Sequence, residues 1–221
     1  MVKARTETAR GRLASDGTGI DDVAASVLDR VRRQEVDAVL FDCDDTLVDS
    51  EPICDRVWRA LADELALSPA PGAATDGLSF EQRLATLRPT NPSLPPTEVV
   101  YREYWRRLRS AFDESLQPIE PIYALARELI DARIPVAVVS NSAQERLQYT
   151  VSCALPLLTG VPLVGWTPRD RPKPYPDLYR RAASLVAVPA SRCLAIEDSN
   201  IGADGATSAG MRAIILDAPT T

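Results

Sequence analysis

The sequence contains no histidine, and Lys3 and Lys173 are the only lysines among its 25 basic residues. Chemistry that depends on an imidazole is therefore excluded, and a functional lysine has to be one of these two residues. Every other cationic side chain in the protein is an arginine.

Membrane spans, secretory signals and cysteine frameworks are also missing. No apolar run is long enough to cross a bilayer, and the first residues lack the apolar core of a secretory signal. The four cysteines have neither metal-ligand nor disulfide spacing, which favours a reducing, cytoplasmic location. Cys43 and Cys193 lie in apolar runs and are expected to be small core residues. The net charge of −6 argues against nucleic acid as the main partner.

The composition is that of a soluble globular protein. Its 221 residues, 45% of them hydrophobic, suffice for one sizeable core and an inserted module. Residues 1–19 are polar and rich in Gly, Ser and Thr, which predicts a disordered tail. Asp21–Arg33 spaces its valines four residues apart, which predicts a short amphipathic helix. Residues 1–35 are thus expected to be an N-terminal extension, whose helix could pack on the domain or on a partner.

The first strong signal is the stretch VLFDCDDTLVDSE at residues 39–51. An apolar run ends there in Asp42, Asp44, Asp45 and Asp49, as a buried strand of a parallel sheet would. Ligands of open α/β sheets bind beyond the carboxyl ends of the strands. Side chains two residues apart in an extended chain point to the same side, so Asp42 and Asp44 can converge on one site. Their repulsion predicts a shared proton or a hard cation such as Mg²⁺.

Strands and helices then alternate along most of the chain. The predicted strands are Ala38–Asp42, Ile134–Ser140, Val161–Gly165, Cys193–Glu197 and Ala213–Leu216. The predicted helices outside the insertion are Pro121–Ala132, one from Ala143, Asp177–Leu185 and Ile201–Ala209, the last ended by Gly210. This alternation predicts an α/β fold with a doubly wound parallel sheet, formed by residues 36–51 and 118–221.

Residues 52–117 interrupt the alternation with helical patterns only. One helix is expected from Pro52, a short one ending near Leu87 after a capping box at Ser79, and a longer one over Thr97–Leu116. Proline-rich segments separate them. The insertion is therefore predicted to be a small all-helical domain.

Polar residues follow several of the predicted strands. The second strand ends in Ser140 and Asn141, a later one ends in Glu197 and Asp198, and Lys173 lies in a loop. Each has an ordinary explanation by itself: residues 140–142 can be a helix cap, Lys173 a solvated loop lysine, and the acidic pair an N-cap region. Ser142 to Glu145 also forms a second capping box, which predicts that the next helix starts at Ala143. Together they supply what phosphoryl transfer needs, namely a nucleophile, a cation, donors to phosphate oxygens and a proton carrier.

These motifs resemble those of the haloacid dehalogenase superfamily, in particular phosphohydrolases with a helical cap inserted after the first strand of a Rossmann-like core. The resemblance lies in FDCDDTLVDSE at 41–51, VVSNS at 138–142, KPYPD at 173–177 and IEDSNIG at 196–202. It implies that Asp42 is the nucleophile that forms an aspartyl-phosphate and that Asp44 is the general acid and base. It also implies the remaining site residues, which are Thr46, Ser140, Asn141 and Lys173 for phosphate and Asp42, Asp44 through its backbone carbonyl, Glu197 and Asp198 for Mg²⁺.

Asp45 departs from the family pattern, which usually has glycine at this position. The turn is therefore expected to require a positive φ, which aspartate tolerates better than most residues. Its carboxylate also adds an anion beside the phosphate.

The resemblance also narrows the reaction. Dehalogenase relatives lack the second aspartate of the first motif, which is present here as Asp44. Phosphonate-cleaving relatives use a cap lysine, and residues 52–117 contain none. Mutase relatives use a histidine near the nucleophile, and the chain has none.

Hydrolysis of a small phosphomonoester, a sugar or organic phosphate, is thus the expected function. The pattern is nearest to the group that acts on compounds such as 6-phosphogluconate. The alternative is a catalytically weak relative that binds a phosphorylated ligand or a protein partner. Arg83 and Glu51 are the predicted specificity residues. Arg83 is chosen because arginine is the only cation in the insertion, and its alternative explanation is an exposed helix arginine. The expected partner is a small phosphorylated metabolite, with neither nucleic acid nor membrane, and the sequence leaves the oligomeric state open.

Overall fold

A computed structural model of the protein describes residues 12–13, 20–68 and 80–216. The chain divides into two compact units. One is an α/β unit of Met1–Val48 and Pro118–Thr221, and the other is a helical unit of Asp49–Gln117.

Six strands in the described part of the chain form one parallel sheet in the order β1-β6-β5-β2-β3-β4. The strands are β1 Arg12–Leu13, β2 Ala38–Phe41, β3 Val136–Ala143, β4 Leu163–Trp166, β5 Cys193–Glu197 and β6 Arg212–Ile215. The predicted fold class is confirmed.

Helices connect the strands of the α/β unit. They are α1 Ile20–Arg32, α5 Glu120–Asp131, α6 Gln144–Ala154, α7 Asp177–Leu185 and α8 Asn200–Ser208. The central strands β2 and β5 are buried along their whole length, which explains why their sequences are continuously apolar. Cys43 and Cys193 are buried as free thiols, as predicted.

The N-terminal extension contributes more structure than a tail and a helix. Arg12–Leu13 pairs in parallel with Ala213 and Ile214 of β6 at the edge of the sheet, where the sequence predicted disorder. Two residues carry no periodicity, so their pairing was not visible in the sequence. Helix α1 packs against α5 of the same unit, which settles the question of where it packs.

The helical unit contains α2 Glu51–Glu64, α3 Phe80–Leu87 and α4 Thr97–Ser115. Its aromatic core has the ring of Trp58 edge-on to Phe80 at 5.5 Å and Phe80 stacked on Tyr104 at 4.8 Å. The ends of the unit are joined by a hydrogen bond from Asp49 N to Gln117 O of 3.1 Å. Ser79 is the first residue of the predicted capping box of α3, and it lies outside the described residues.

One predicted helix cap is wrong. Helix α6 begins after Ala143, which makes no side-chain cap bond, and β3 runs on through Ser142. The hydroxyl of Ser142 instead donates to a carboxylate in the turn that follows the neighbouring strand β2. At the end of α8, Gly210 has the expected positive φ of 91°. None of the described helices is both long and apolar enough to serve as a membrane span.

Candidate active site

A tight turn after β2 presents Asp42 and Asp44 at the carboxyl end of the central strand. The turn is closed by hydrogen bonds from Asp45 N to Val48 O of 2.8 Å and from Leu47 N to Cys43 O of 2.9 Å. Asp45 has φ +60°, so the predicted left-handed conformation at the usual glycine position is confirmed. Thr46, which is part of this turn, is fully buried.

Lys173 joins the nucleophile candidate to the acidic pair after β5. Its buried ammonium group contacts a carboxylate oxygen of Asp42, and donates to Glu197 Oε1 at 2.6 Å and to Val139 O at 2.9 Å. The buried hydroxyl of Tyr179 donates to the same oxygen of Glu197. Lys173 is therefore a central site residue and not a solvated loop lysine.

Burial and charge set the protonation of this network. Burial raises the pKa of Asp42 well above its usual range, with Lys173 opposing and Glu197 adding to the increase. Burial also raises the pKa of Glu197, against the lowering effect of Lys173. Burial acts to lower the pKa of Lys173, but the carboxylates of Asp42 and Glu197 outweigh it and raise that pKa. Lys173 therefore stays protonated and holds the carboxylates as partners.

Three carboxylates lie close enough together to hold a metal ion. One oxygen from each of Asp42, Glu197 and Asp198 lies within 4.8 Å of the others. Glu197 Oε2 is buried and has no hydrogen-bond partner among the described residues. When ionised, three carboxylates and the Lys173 ammonium leave an excess of two negative charges. An all-oxygen donor set with this charge fits Mg²⁺.

Asp44 is held by residues of the next strand and helix. Its Oδ2 accepts hydrogen bonds from Ser142 Oγ at 2.8 Å and Ser140 Oγ at 3.2 Å. Its Oδ1 accepts from a guanidinium nitrogen of Arg146 at 2.9 Å. The backbone N–H of Ser142 also donates to Ser140 Oγ at 2.9 Å, which fixes that hydroxyl.

Asn141 is tied to the backbone of the loop that contains Lys173. Its Oδ1 accepts from Lys173 N at 2.7 Å, and its Nδ2 donates to Lys173 O at 3.4 Å. As it stands, the side chain locks the loop against the end of β3. Asn141 thereby positions the lysine that enters the site.

The predicted site residues of the α/β unit thus come together in space. Ser140 is hydrogen-bonded to Asp44, Lys173 contacts both Asp42 and Glu197, and the turn after β2 carries both Asp42 and Asp44. Arg83 of α3 and Glu51, the first residue of α2, belong to the helical unit.

Sequence reasoning missed three contributors, namely Arg146, Tyr179 and the site role of Ser142. The structure reveals all three through their contacts with site residues. A signal existed for Tyr179, which follows the KPYPD motif by two positions on α7. Arg146 had none, because an arginine in the first turn of a helix is usually a solvated surface residue.

Comparison with known proteins agrees with this geometry. Residues 36–210 match the family model of the haloacid dehalogenase-like hydrolases. The chain is 33% identical to 6-phosphogluconate phosphatase of Escherichia coli over 80% of each chain. It is 28% identical to hexitol phosphatase A of the same organism, covering 81% of this chain and 82% of the relative.

Solved structures show the same fold. CbbY from Rhodobacter sphaeroides, in complex with xylulose 1,5-bisphosphate, superposes with a TM-score of 0.72 at 23% identity. The match covers 81% of this chain and 85% of CbbY. A haloacid dehalogenase family hydrolase from Deinococcus radiodurans, solved with bound phosphate and sodium, has a TM-score of 0.61 at 27% identity, over 83% of this chain and 92% of the other. The chain belongs to the haloacid dehalogenase-like hydrolases, and it is a phosphatase of that family.

Proposed function

We propose that this protein hydrolyses a small phosphorylated metabolite, a sugar or organic phosphate, in a Mg²⁺-dependent reaction through an aspartyl-phosphate on Asp42. The main support is the convergence of Asp42, Lys173 and the pair Glu197 and Asp198 at one edge of the sheet. Relatives named for 6-phosphogluconate and hexitol phosphates favour a polyhydroxylated substrate.

In the proposed first step, a carboxylate oxygen of Asp42 attacks phosphorus and the bond to the leaving oxygen breaks. Asp44 gives its proton to that oxygen. In the second step Asp44 takes a proton from water, whose oxygen attacks phosphorus, and the bond to Asp42 breaks. Phosphate leaves, and both aspartates are restored.

The remaining residues hold charge and position. Lys173 neutralises phosphoryl oxygens, Ser140 and Asn141 offer further donors, and Thr46 supports the turn. Mg²⁺ would be held by Asp42, the backbone carbonyl of Asp44, Asp198 and Glu197, and would supply positive charge to the phosphoryl group. The helical unit would act as a cap, with Arg83 and Glu51 as substrate-reading residues, since an arginine fork suits carboxylates and paired hydroxyls.

The test is turnover of p-nitrophenyl phosphate and of a panel of sugar and polyol phosphates that includes 6-phosphogluconate, with Mg²⁺ or with EDTA. Asp42→Asn should fold normally and lose about 10⁴-fold or more in kcat, because an amide keeps the shape but attacks poorly. Retention of more than a few per cent of the wild-type rate would exclude the covalent route. Absence of Mg²⁺-dependent turnover by the wild type would instead favour the alternative of a catalytically weak protein that binds a ligand or partner.

A further inference from the structure

Asp44 is held at both oxygens by different kinds of donor. Two serine hydroxyls hold Oδ2, and the guanidinium of Arg146 holds Oδ1 at 2.9 Å. A carboxylate held at one oxygen can still turn about its Cβ–Cγ bond. Holding both oxygens fixes the plane of the group relative to β3 and α6.

The two kinds of donor differ in what they permit. A guanidinium can only donate hydrogen bonds, so Oδ1 of Asp44 can only accept beside Arg146. A hydroxyl can donate or accept, so Oδ2 can bear a proton beside Ser140 and Ser142. With Arg146 at Oδ1, Oδ2 is the oxygen of Asp44 that has hydrogen-bond partners compatible with a proton.

Fold stability does not explain this arginine. Arg146 is the third residue of α6, where the positive end of the helix dipole disfavours a cation. Its side chain is 19% exposed and that of Asp44 is 25% exposed, so both charges are largely withdrawn from water. The net contribution of such a pair to stability is small, because the desolvation of both ions offsets their attraction.

We propose that Arg146 is a positioning residue for proton transfer, which fixes the Asp44 carboxylate and places its proton on Oδ2. This inference rests on the proposed function. The proton leaves Oδ2 for the leaving oxygen as the phosphoryl group moves to Asp42. It returns to Oδ2 from the water that releases phosphate.

The test uses the leaving group as a probe. A leaving group of low pKa departs without a proton, whereas the alkoxide of a sugar or alkyl phosphate requires one. Arg146→Met should lower kcat/KM for an alkyl phosphate by about 10- to 100-fold and for p-nitrophenyl phosphate by less than about threefold. A plot of log kcat/KM against leaving-group pKa should therefore become steeper. Arg146→Lys, which restores a cation that only donates, should recover part of the loss.

Two controls separate positioning from structure. Arg192→Met removes another arginine–aspartate pair. Arg192 and its partner Asp37 lie just before the first residues of β5 and β2, so this variant should leave the slope of log kcat/KM against leaving-group pKa unchanged. In an Asp44→Asn background, Arg146→Met should lower kcat/KM little further, because the carboxylate that Arg146 positions has already been removed.

Three results would overturn the inference. A loss of equal size on all substrates would mean that Arg146 contacts the phosphoryl group or supports the fold, and no loss would mean that it is incidental. A further full-sized loss in the Asp44→Asn background would show that it does not act through Asp44. Failure of the proposed function gives a different result, because the wild type would then hydrolyse none of the phosphate esters. The inference about Arg146 would then be wrong as well.

Discussion

Asp45 shows how a single residue can meet a backbone requirement at an electrostatic cost. Its φ of +60° lies in the region where glycine is free of strain and aspartate is tolerated. Its charge also stands beside the turn that presents Asp42 and Asp44. Two like charges about 4 Å apart in water repel by about 1 kcal/mol, and a more distant pair repels less, so removing one of them is worth a few-fold in rate.

Asp45→Gly should therefore raise kcat/KM by about threefold, because it relaxes the turn and removes an anion near the phosphate. Asp45→Asn is the matched control, since asparagine tolerates positive φ but has no charge. A gain in both variants assigns the effect to charge, and a gain in Asp45→Gly alone assigns it to the turn. Values at or below wild type in both would refute the prediction.

At the scale of elements, the first turn of α8 packs directly against the side chain of Glu197. A Cβ on Gly202 would lie 1.8 Å from Glu197 Oε2 and 2.0 Å from its Cδ. The helix can approach the carboxylate this closely only because residue 202 has no side chain. Glu197 in turn holds Lys173, so a displacement would spread through the network.

Gly202→Ala should therefore lower the free energy of unfolding by about 1–3 kcal/mol and reduce turnover, because buried Glu197 has to move. Gly205→Ala in the same helix is the control. Its Cβ would meet Tyr175 O at 3.4 Å and the Cβ of Lys173 at 3.5 Å, which are ordinary contacts. That variant should be as stable as wild type or gain up to about 1 kcal/mol from helix propensity. Chemical denaturation and kcat/KM of both variants check this, and equal behaviour of the two would contradict it.

Most elements of the α/β unit were predictable from the sequence, because a buried parallel strand followed by an amphipathic helix leaves two clear periodicities. β5 matches its predicted range, and β3 ends three residues later than predicted. The extension of β3 matters, because it turns Ser142 from a helix cap into a donor to Asp44. Cap and ligand use the same residue type and spacing, and only tertiary contacts decide between them.

At the scale of the whole molecule, the charge balance of the site is coupled to folding. Burial raises the pKa of Asp42 and of Glu197, so the folded protein binds protons at these groups more tightly than the unfolded chain does. In the absence of metal, this contribution to the free energy of unfolding is fully present below the ordinary carboxyl pKa of about 4 and is lost as the pH rises through the raised values. The free energy of unfolding of the metal-free protein should therefore fall as the pH rises through that range.

Mg²⁺ should reverse this loss, since a cation that binds the ionised carboxylates stabilises the folded state and competes with protons for the same oxygens. The increase in melting temperature on adding millimolar Mg²⁺ to EDTA-treated protein should be small at pH 5 and larger at pH 8. Calorimetry without substrate measures this independently of turnover. Asp198→Asn should reduce the increase in melting temperature, because it removes one of the three carboxylates. The control is Asp170→Asn, which changes a loop aspartate paired with Arg181 and should leave the increase unchanged. A shift of equal size at both pH values would contradict competition with protons, and no shift at either would contradict the metal site.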